Sequence, residues 1–243
     1  YVTEGPSGLA WVDPATGKKL GGKKWIGGHW TAAPFLAHDD GPKANPETHV
    51  YVGSTWETEK GAEFGELRIT ALTPKGDKEI LKLNLGKLDE QSPGAGERTE
   101  ELLGGIAAYD GIVVAAMRFA NKLLFIDTAA GKVIREIAID APGGIAFDPQ
   151  GRLLVISGKK LVRYENDKAT DLVTTGLDEP MGLTTAPNGS ILVSDWGTSH
   201  NVKAFSPEGK LVSTIGKPGV PSAGKYDPLR MNHPQGIAVD DRG

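Results

Sequence analysis

The sequence predicts an all-β fold, a β-propeller of four-stranded antiparallel blades. Three observations predict it. A unit recurs, with steps of 39, 38 and 54 residues between Gly105, Gly144, Gly182 and Gly236. A period of about 40 residues is that of a propeller blade. Each copy alternates short apolar runs with tight turns, in the order Gly-apolar run, turn, strand, polar loop, strand, turn, strand. Finally, 33 Gly and 16 Pro among 243 residues suit many short strands better than helices.

Taken in order, residues 1–28 supply three strands, "YVTE", "GLAWVDPATG" and "KKLGGKKW", which fit the second, third and fourth of a blade that lacks its first. Residues 30–86 give a complete blade from "TAAPFLAHD", "HVYVGST", "GELRITALTP" and "KEILKLNL", its first turn swollen by Asp40 to Thr48. Three further blades span 104–140, 142–176 and 180–216, and a last strand lies in 233–243. All belong to one domain. Asp148-Pro149-Gln150-Gly151 and Ala186-Pro187-Asn188-Gly189 join first strands to second ones. Ser206-Pro207-Glu208-Gly209 and Thr73-Pro74-Lys75-Gly76 join third strands to fourth ones. In each, Pro presets φ and Gly takes the position that a Cβ would crowd. The second strands "HVYVGS", "IVVAAM", "RLLVIS" and "SILVSD" carry the β-branched runs of strands buried on both faces.

The closing "HPQGIAVDDRG" reads as the opening of another blade. Two arrangements follow. Gly236 to Asp240 pairs with Tyr1 to Glu4 and closes a ring of five blades, or the chain is a piece cut inside its last blade. The first residue is Tyr1 and no signal-like segment is visible, which points to a processed product or a fragment. An open ring leaves strand edges that can pair with another chain.

Composition excludes several classes. The net charge is -4, with 27 basic residues scattered among 31 acidic ones, so no basic stripe argues for nucleic acid. No stretch approaches the roughly 20 apolar residues of a membrane span. Cysteine is absent, which removes disulfides and thiolate sites and leaves the compartment undetermined.

"PMGLTTAPNGSILVSDWGTSHNVKAFSPEGKLVSTIG", from Pro180, and the opening "HPQGIAVDDRG" resemble NHL-repeat propellers: a Pro and Gly-apolar start, an Asp-x-x-Gly turn, a "VxD" strand, then "N-apolar-x-x-F-x-x-x-G". The resemblance is good over about the last hundred residues and looser before them. More narrowly, "GLAWVDPATGKK", "GSTWE…GELRITALTPKGDK" and "IGKPGVPSAGKYDPLRMNHPQGIAVDDRG" look like bacterial propellers carried inside larger exported proteins. That resemblance implies about six blades in the family, an extracellular or periplasmic location and a ligand-presenting face. It implies no reaction.

Chemistry is expected where long loops gather, after second and fourth strands. Trp56, Trp196, Trp30 and Phe119 lie there, beside Glu57, Arg118, Asp195 and His200. Aromatic faces stack on sugar C–H surfaces while charged groups take hydroxyls, so this set suits a glycan or a protein ligand. The structural alternative packs the aromatics between blades and uses Asp195 to cap backbone N–H groups in the loop it begins. The reading is a non-catalytic binding scaffold without a cofactor.

A second reading comes from "EGP" at Glu4 to Pro6, which resembles the calcium-dependent lactonases of the gluconolactonase-like family. There a Glu, an Asn and an Asp hold Ca2+ or another divalent cation, and Glu4 and Asp195 would be the matching ligands. Glu4 follows a second strand, whereas the family's Glu precedes a first one. The five histidines show neither HxH nor HExxH spacing. His38, Asp39, Asp40 and His49 read as a solvated surface loop, and "GERTEELL" as a short helical turn. No G-x-S-x-G supports a serine triad.

Overall fold

The computed structural model describes residues 2–4, 8–13, 15–24, 35–48, 50–57, 64–73, 75–87, 103–118, 120–166, 168–221 and 227–240. Their regular structure is strand throughout. The chain divides into two compact units, Tyr1–Ile137 and Ala138–Gly243.

The first unit opens with β1 (Val2–Glu4), β2 (Gly8–Val12) and β3 (Lys19–Lys24), a three-stranded antiparallel sheet. A four-stranded sheet follows from β4 (Phe35–His38), β5 (Val50–Glu57), β6 (Phe64–Thr73) and β7 (Gly76–Lys87). The next is β8 (Leu103–Tyr109), β9 (Ile112–Met117), β10 (Lys122–Asp127) and β11 (Lys132–Ala138). In the second unit, β12 (Pro142–Phe147), β13 (Leu153–Ser157), β14 (Lys160–Glu165) and β15 (Lys168–Val173) form one sheet. β16 (Pro180–Thr185), β17 (Ile191–Asp195), β18 (Asn201–Phe205) and β19 (Leu211–Ile215) form another. Each is a meander in chain order, the topology that one short turn per strand pair enforces.

Burial follows the sequence pattern. The second strands are the driest: Val113 to Met117 in β9 and Leu153 to Ile156 in β13 are buried at every position. In the first unit they pack with Tyr51, Leu67, Ile69, Ile106, Leu124 and Ile126. In the second, Leu154, Ile156, Leu161, Leu183, Ile191, Val193 and Phe205 form the core. Each such side chain contributes about 1.5–3 kcal/mol when fully buried. The turns are as expected. Gly151 N–H donates to Asp148 O at 2.8 Å, and Gly189 N–H to Ala186 O at 2.8 Å. Asp148 tightens its turn further, accepting from Gln150 N–H, Arg152 N–H and the Arg152 guanidinium at 3.0, 2.9 and 2.6 Å.

The repeated glycine of the first strand has a clear cause. A Cβ on Gly144 would lie 2.5 Å from Met181 O, in the strand beginning the next sheet. A Cβ on Gly182 would lie 2.1 Å from Gln235 O. Met181 precedes Gly182 as Gln235 precedes Gly236, so residue 235 stands against β16 as residue 181 stands against β12. Residues 234–240 nevertheless form no strand of their own among the described residues. The alternative pairing with Tyr1 to Glu4 involves Tyr1, which lies outside the described residues, as does "GERTEELL" up to Leu102.

One expectation is corrected here. Asp39 is no solvated loop charge: it is 2% exposed. Its carboxylate accepts from Gly41, Asp110 and Gly111 N–H groups at 3.0, 2.8 and 2.7 Å, tying the swollen turn to the β8–β9 turn. Asp110 in return accepts from Lys43 N–H at 2.9 Å. His49 lies outside the described residues.

Candidate functional site

The loop between β17 and β18, residues 196–200, together with Asp195 at the end of β17, brings together three of the expected site residues. It is short and tightly wound. Ser199 and His200 N–H groups both donate to Trp196 O, at 3.0 and 2.9 Å, and Trp196 N–H donates to Glu179 O at 3.0 Å. Gly197 and His200 take φ of 44° and 46° to make the reversal.

Asp195 sits beneath this loop and is wholly buried. Its carboxylate accepts from Glu179 N–H at 2.7 Å and from Asp178 N–H at 3.1 Å. Lys203, on the neighbouring strand, places its ammonium against the same carboxylate. Lys203 also donates to Gly176 O at 2.5 Å. The group therefore ties the 176–179 connection to β17 and β18. The sequence leads one to expect Asp195 to meet a ligand; here its carboxylate faces no solvent and its lone pairs are taken by these partners. The N–H groups that it caps lie in the connection before β16, and from the loop that it begins it accepts the Ser199 hydroxyl at 3.5 Å.

His200 is also removed from solvent, at 3% exposure. Its Nδ1 accepts from His233 N–H at 3.1 Å, and the two rings meet edge to face with centroids 4.6 Å apart. Trp196 is partly exposed, and its indole N–H donates to Pro234 O at 2.7 Å. Its ring meets that of His233 edge to face at 4.7 Å. Ser194 completes the set, donating to Gln235 O at 2.6 Å while accepting from Gly182 N–H at 2.8 Å. So Ser194, Trp196 and His200 grip the backbone of residues 233–235.

Beside them, Asp178 pairs with Lys159 at 2.9 Å and accepts from Thr198 N–H at 3.0 Å. The Lys159 hydrogen bond and the Thr198 amide hold the Asp178 carboxyl below its ordinary range, and Asp178 in turn raises Lys159. Sequence reasoning missed Ser194, Lys203, Asp178 and His233. The signal for Ser194 was its place in "SILVSD", where a buried strand carries a hydroxyl.

The remaining expected residues lie in the first unit. Arg118 is exposed in the turn after β9, its carbonyl accepting from Asn121 N–H at 3.3 Å. Trp56 and Glu57 end β5, and their side chains lie outside what the structure describes; Phe119 and Trp30 lie outside the described residues altogether. Glu4 ends β1, its side chain likewise undescribed.

A divalent cation does not fit at Asp195. The carboxylate already faces an ammonium and two N–H donors, which are positive neighbours for an incoming ion. Among the described residues no group of three or more His, Cys, Asp or Glu side chains is placed to hold a metal.

No family model and no curated protein matches the sequence. Among solved structures, the chain is similar to one in the crystal structure of a nidogen/laminin complex, at 16% identity and a TM-score of 0.63. That match covers 98% of this chain and 80% of the other. The chain is a β-propeller. Further similarity is to Kuenenia stuttgartiensis hydrazine synthase, at 11% identity and a TM-score of 0.51 over 76% of this chain and 49% of that one. A chain of the mitotic checkpoint complex matches at 15% identity and a TM-score of 0.50, over 87% and 61%. At such identities the likeness shows the fold alone, and the four-stranded sheets are the blades of this propeller.

Proposed function

We propose that this propeller is a non-catalytic binding scaffold that takes a protein ligand by strand addition at β19. One observation carries the reading. β19 is the outermost strand of its blade, and all five of its residues, Leu211-Val212-Ser213-Thr214-Ile215, are exposed and uncharged. Leu211, Val212 and Ile215 are 51%, 68% and 48% exposed. The corresponding strands differ: β7 carries Asp77, Lys78 and Glu79, β11 carries Lys132, Arg135 and Glu136, and β15 carries Lys168 and Asp171. Charged side chains are the ordinary protection of a sheet edge, and β19 alone among these four lacks it. An edge of this kind recruits an extended segment through main-chain hydrogen bonds, with apolar side chains supplying specificity. The matching ligand is an uncharged strand rich in Val, Ile and Thr.

NHL-like character and a place in a larger exported protein rest on the sequence resemblance. The loops after second strands remain proposed contacts in each unit by itself: Arg118, Trp56, Glu57 and Phe119 in the first, and the exposed part of Trp196 in the second. The calcium-lactonase reading has no support at Asp195, for the reason given above.

Arrays of extended peptides and of glycans, probed with the wild type and with Val212→Lys, separate the ligand classes. Strand addition predicts capture by uncharged, β-branched peptides that the substitution abolishes. Capture by glycans alone, or peptide capture indifferent to Val212→Lys, overturns the reading.

A further inference from the structure

We propose that His200 and His233 form an acid-released latch that fixes residues 233–235 against the last blade. The inference does not depend on strand addition at β19. It starts from hydrogen-bond chemistry. A backbone N–H donates to His200 Nδ1 at 3.1 Å, so that nitrogen must carry a lone pair. A neutral imidazole has one acceptor nitrogen, whereas an imidazolium has donors at both and no acceptor. Histidine is the side chain whose charge ordinarily changes between about pH 5 and 8.

Protonating His200 has two local consequences. The His233 N–H loses its acceptor and faces a second donor, and a positive charge is placed in a site that is 3% exposed. Of the described carboxylates around the site, those of Asp195, Asp178 and Asp227 are paired elsewhere, and that of Glu179 is exposed in the connection before β16, where it acts on Lys159. The titratable group facing His200 from the C-terminal segment is His233, itself a base. On the adjoining loop and strands, Asp195 is paired with Lys203 and Asp178 with Lys159. Farther along the segment, Asp227 is paired with Lys217, and Arg230 donates to Pro218 O.

The backbone is poised for release. His200 and His233 both hold left-handed φ, 46° and 47°. Non-glycine residues keep that conformation only where their surroundings impose it. For His233 the imposing contacts are the Nδ1 bond, the two edge-to-face ring contacts, and the neighbouring bond from Trp196 to Pro234 O. Losing the first frees the residue to return to ordinary φ and carries Pro234 away from the indole. Acid therefore opens the latch and neutral pH closes it.

Hydrogen exchange of the His233 amide and the Trp196 indole N–H, read by NMR on the whole chain, tests this. The amide of Val155 in β13 serves as the internal reference for global stability. After correction for intrinsic chemistry, uptake of one proton makes the opening equilibrium rise up to about tenfold per pH unit of acidification. His200→Asn offers an acceptor near the Nδ1 position, tolerates left-handed φ and cannot be protonated, so its exchange is expected to be flat between pH 7.5 and 5.5. His200→Phe is expected to leave both protons unprotected at either pH while Val155 stays protected. If the latter variant fails to fold, the wild type and His200→Asn still decide. Wild-type protection that does not change with pH, or a pH response that survives in His200→Asn, overturns the proposal.

Discussion

Lys203 lays its ammonium against the buried carboxylate of Asp195, and the two residues thereby lock a strand pair and the connection before it into one piece. The carboxylate alone would be costly where it sits. With Lys203 and two backbone N–H groups its charge is answered, and the 176–179 connection gains a fixed path. Breaking such a pair from one side leaves an uncompensated charge, which costs more than the pair contributes. Lys203→Met is therefore expected to lower stability by about 3–5 kcal/mol. Urea unfolding should show a lower midpoint with an unchanged slope, and a shift within error would mean that Asp195 finds water instead.

Two equivalent glycines should respond differently to the same substitution. Gly144 approaches Met181 O, which belongs to β16, held on its other side by β17. Gly182 approaches Gln235 O, in a segment without a ladder, and the Ser194 hydroxyl, the far end of a side chain that can turn. Gly144→Ala is expected to cost about 1–3 kcal/mol, as overpacking against fixed backbone does. Gly182→Ala should push residues 234–236 aside and leave the melting midpoint nearly unchanged, while the Trp196 indole N–H loses protection. Equal destabilisation of both variants would show that the C-terminal segment is as rigid as β16.

Asp178 gives a second, separate pH response. Its carboxyl is held low by Lys159 and by Thr198 N–H, so the charged form is favoured in the folded state. A depressed carboxylate contributes stability above its ordinary value, about 3.9, and loses it as pH falls through the lowered one. The loss thus belongs below about pH 4, away from the histidine range. Unfolding midpoints of the wild type and Asp178→Asn should converge in acid and differ at neutral pH, with salt narrowing the gap because the pair is exposed.

How much of this was legible depends on the range of the interaction. The turns at 148–151 and 186–189 are local, so Pro and Gly spacing placed them, and the apolar runs placed β9, β13 and β17 beside them. The forty-residue recurrence then grouped strands into blades. Asp195 was legible as a capping residue but not as one serving residues 178 and 179, because those amides lie behind it in the chain. His200 finds His233 after 33 intervening steps, and Asp39 finds residues 110 and 111 after 71 and 72. Such ties cross between elements, where a one-dimensional period carries no register. Trp196 illustrates the other limit: an aromatic that reads backbone and one that stacks on a ligand are the same letter.

Tyr51 offers a test of the first unit's core. It lies in β5, fully buried, and its hydroxyl has no hydrogen-bond partner among the described residues. A buried donor left unmade carries a desolvation penalty of about 1–3 kcal/mol, part of which the ring's own burial must offset. Tyr51→Phe keeps the ring and removes the penalty. The substitution is therefore expected to leave stability unchanged or to raise it by up to about 1 kcal/mol, read as an equal or higher urea midpoint. A loss of more than about 1 kcal/mol would show that the hydroxyl is bonded in solution, to an ordered water or to a group that moves toward it.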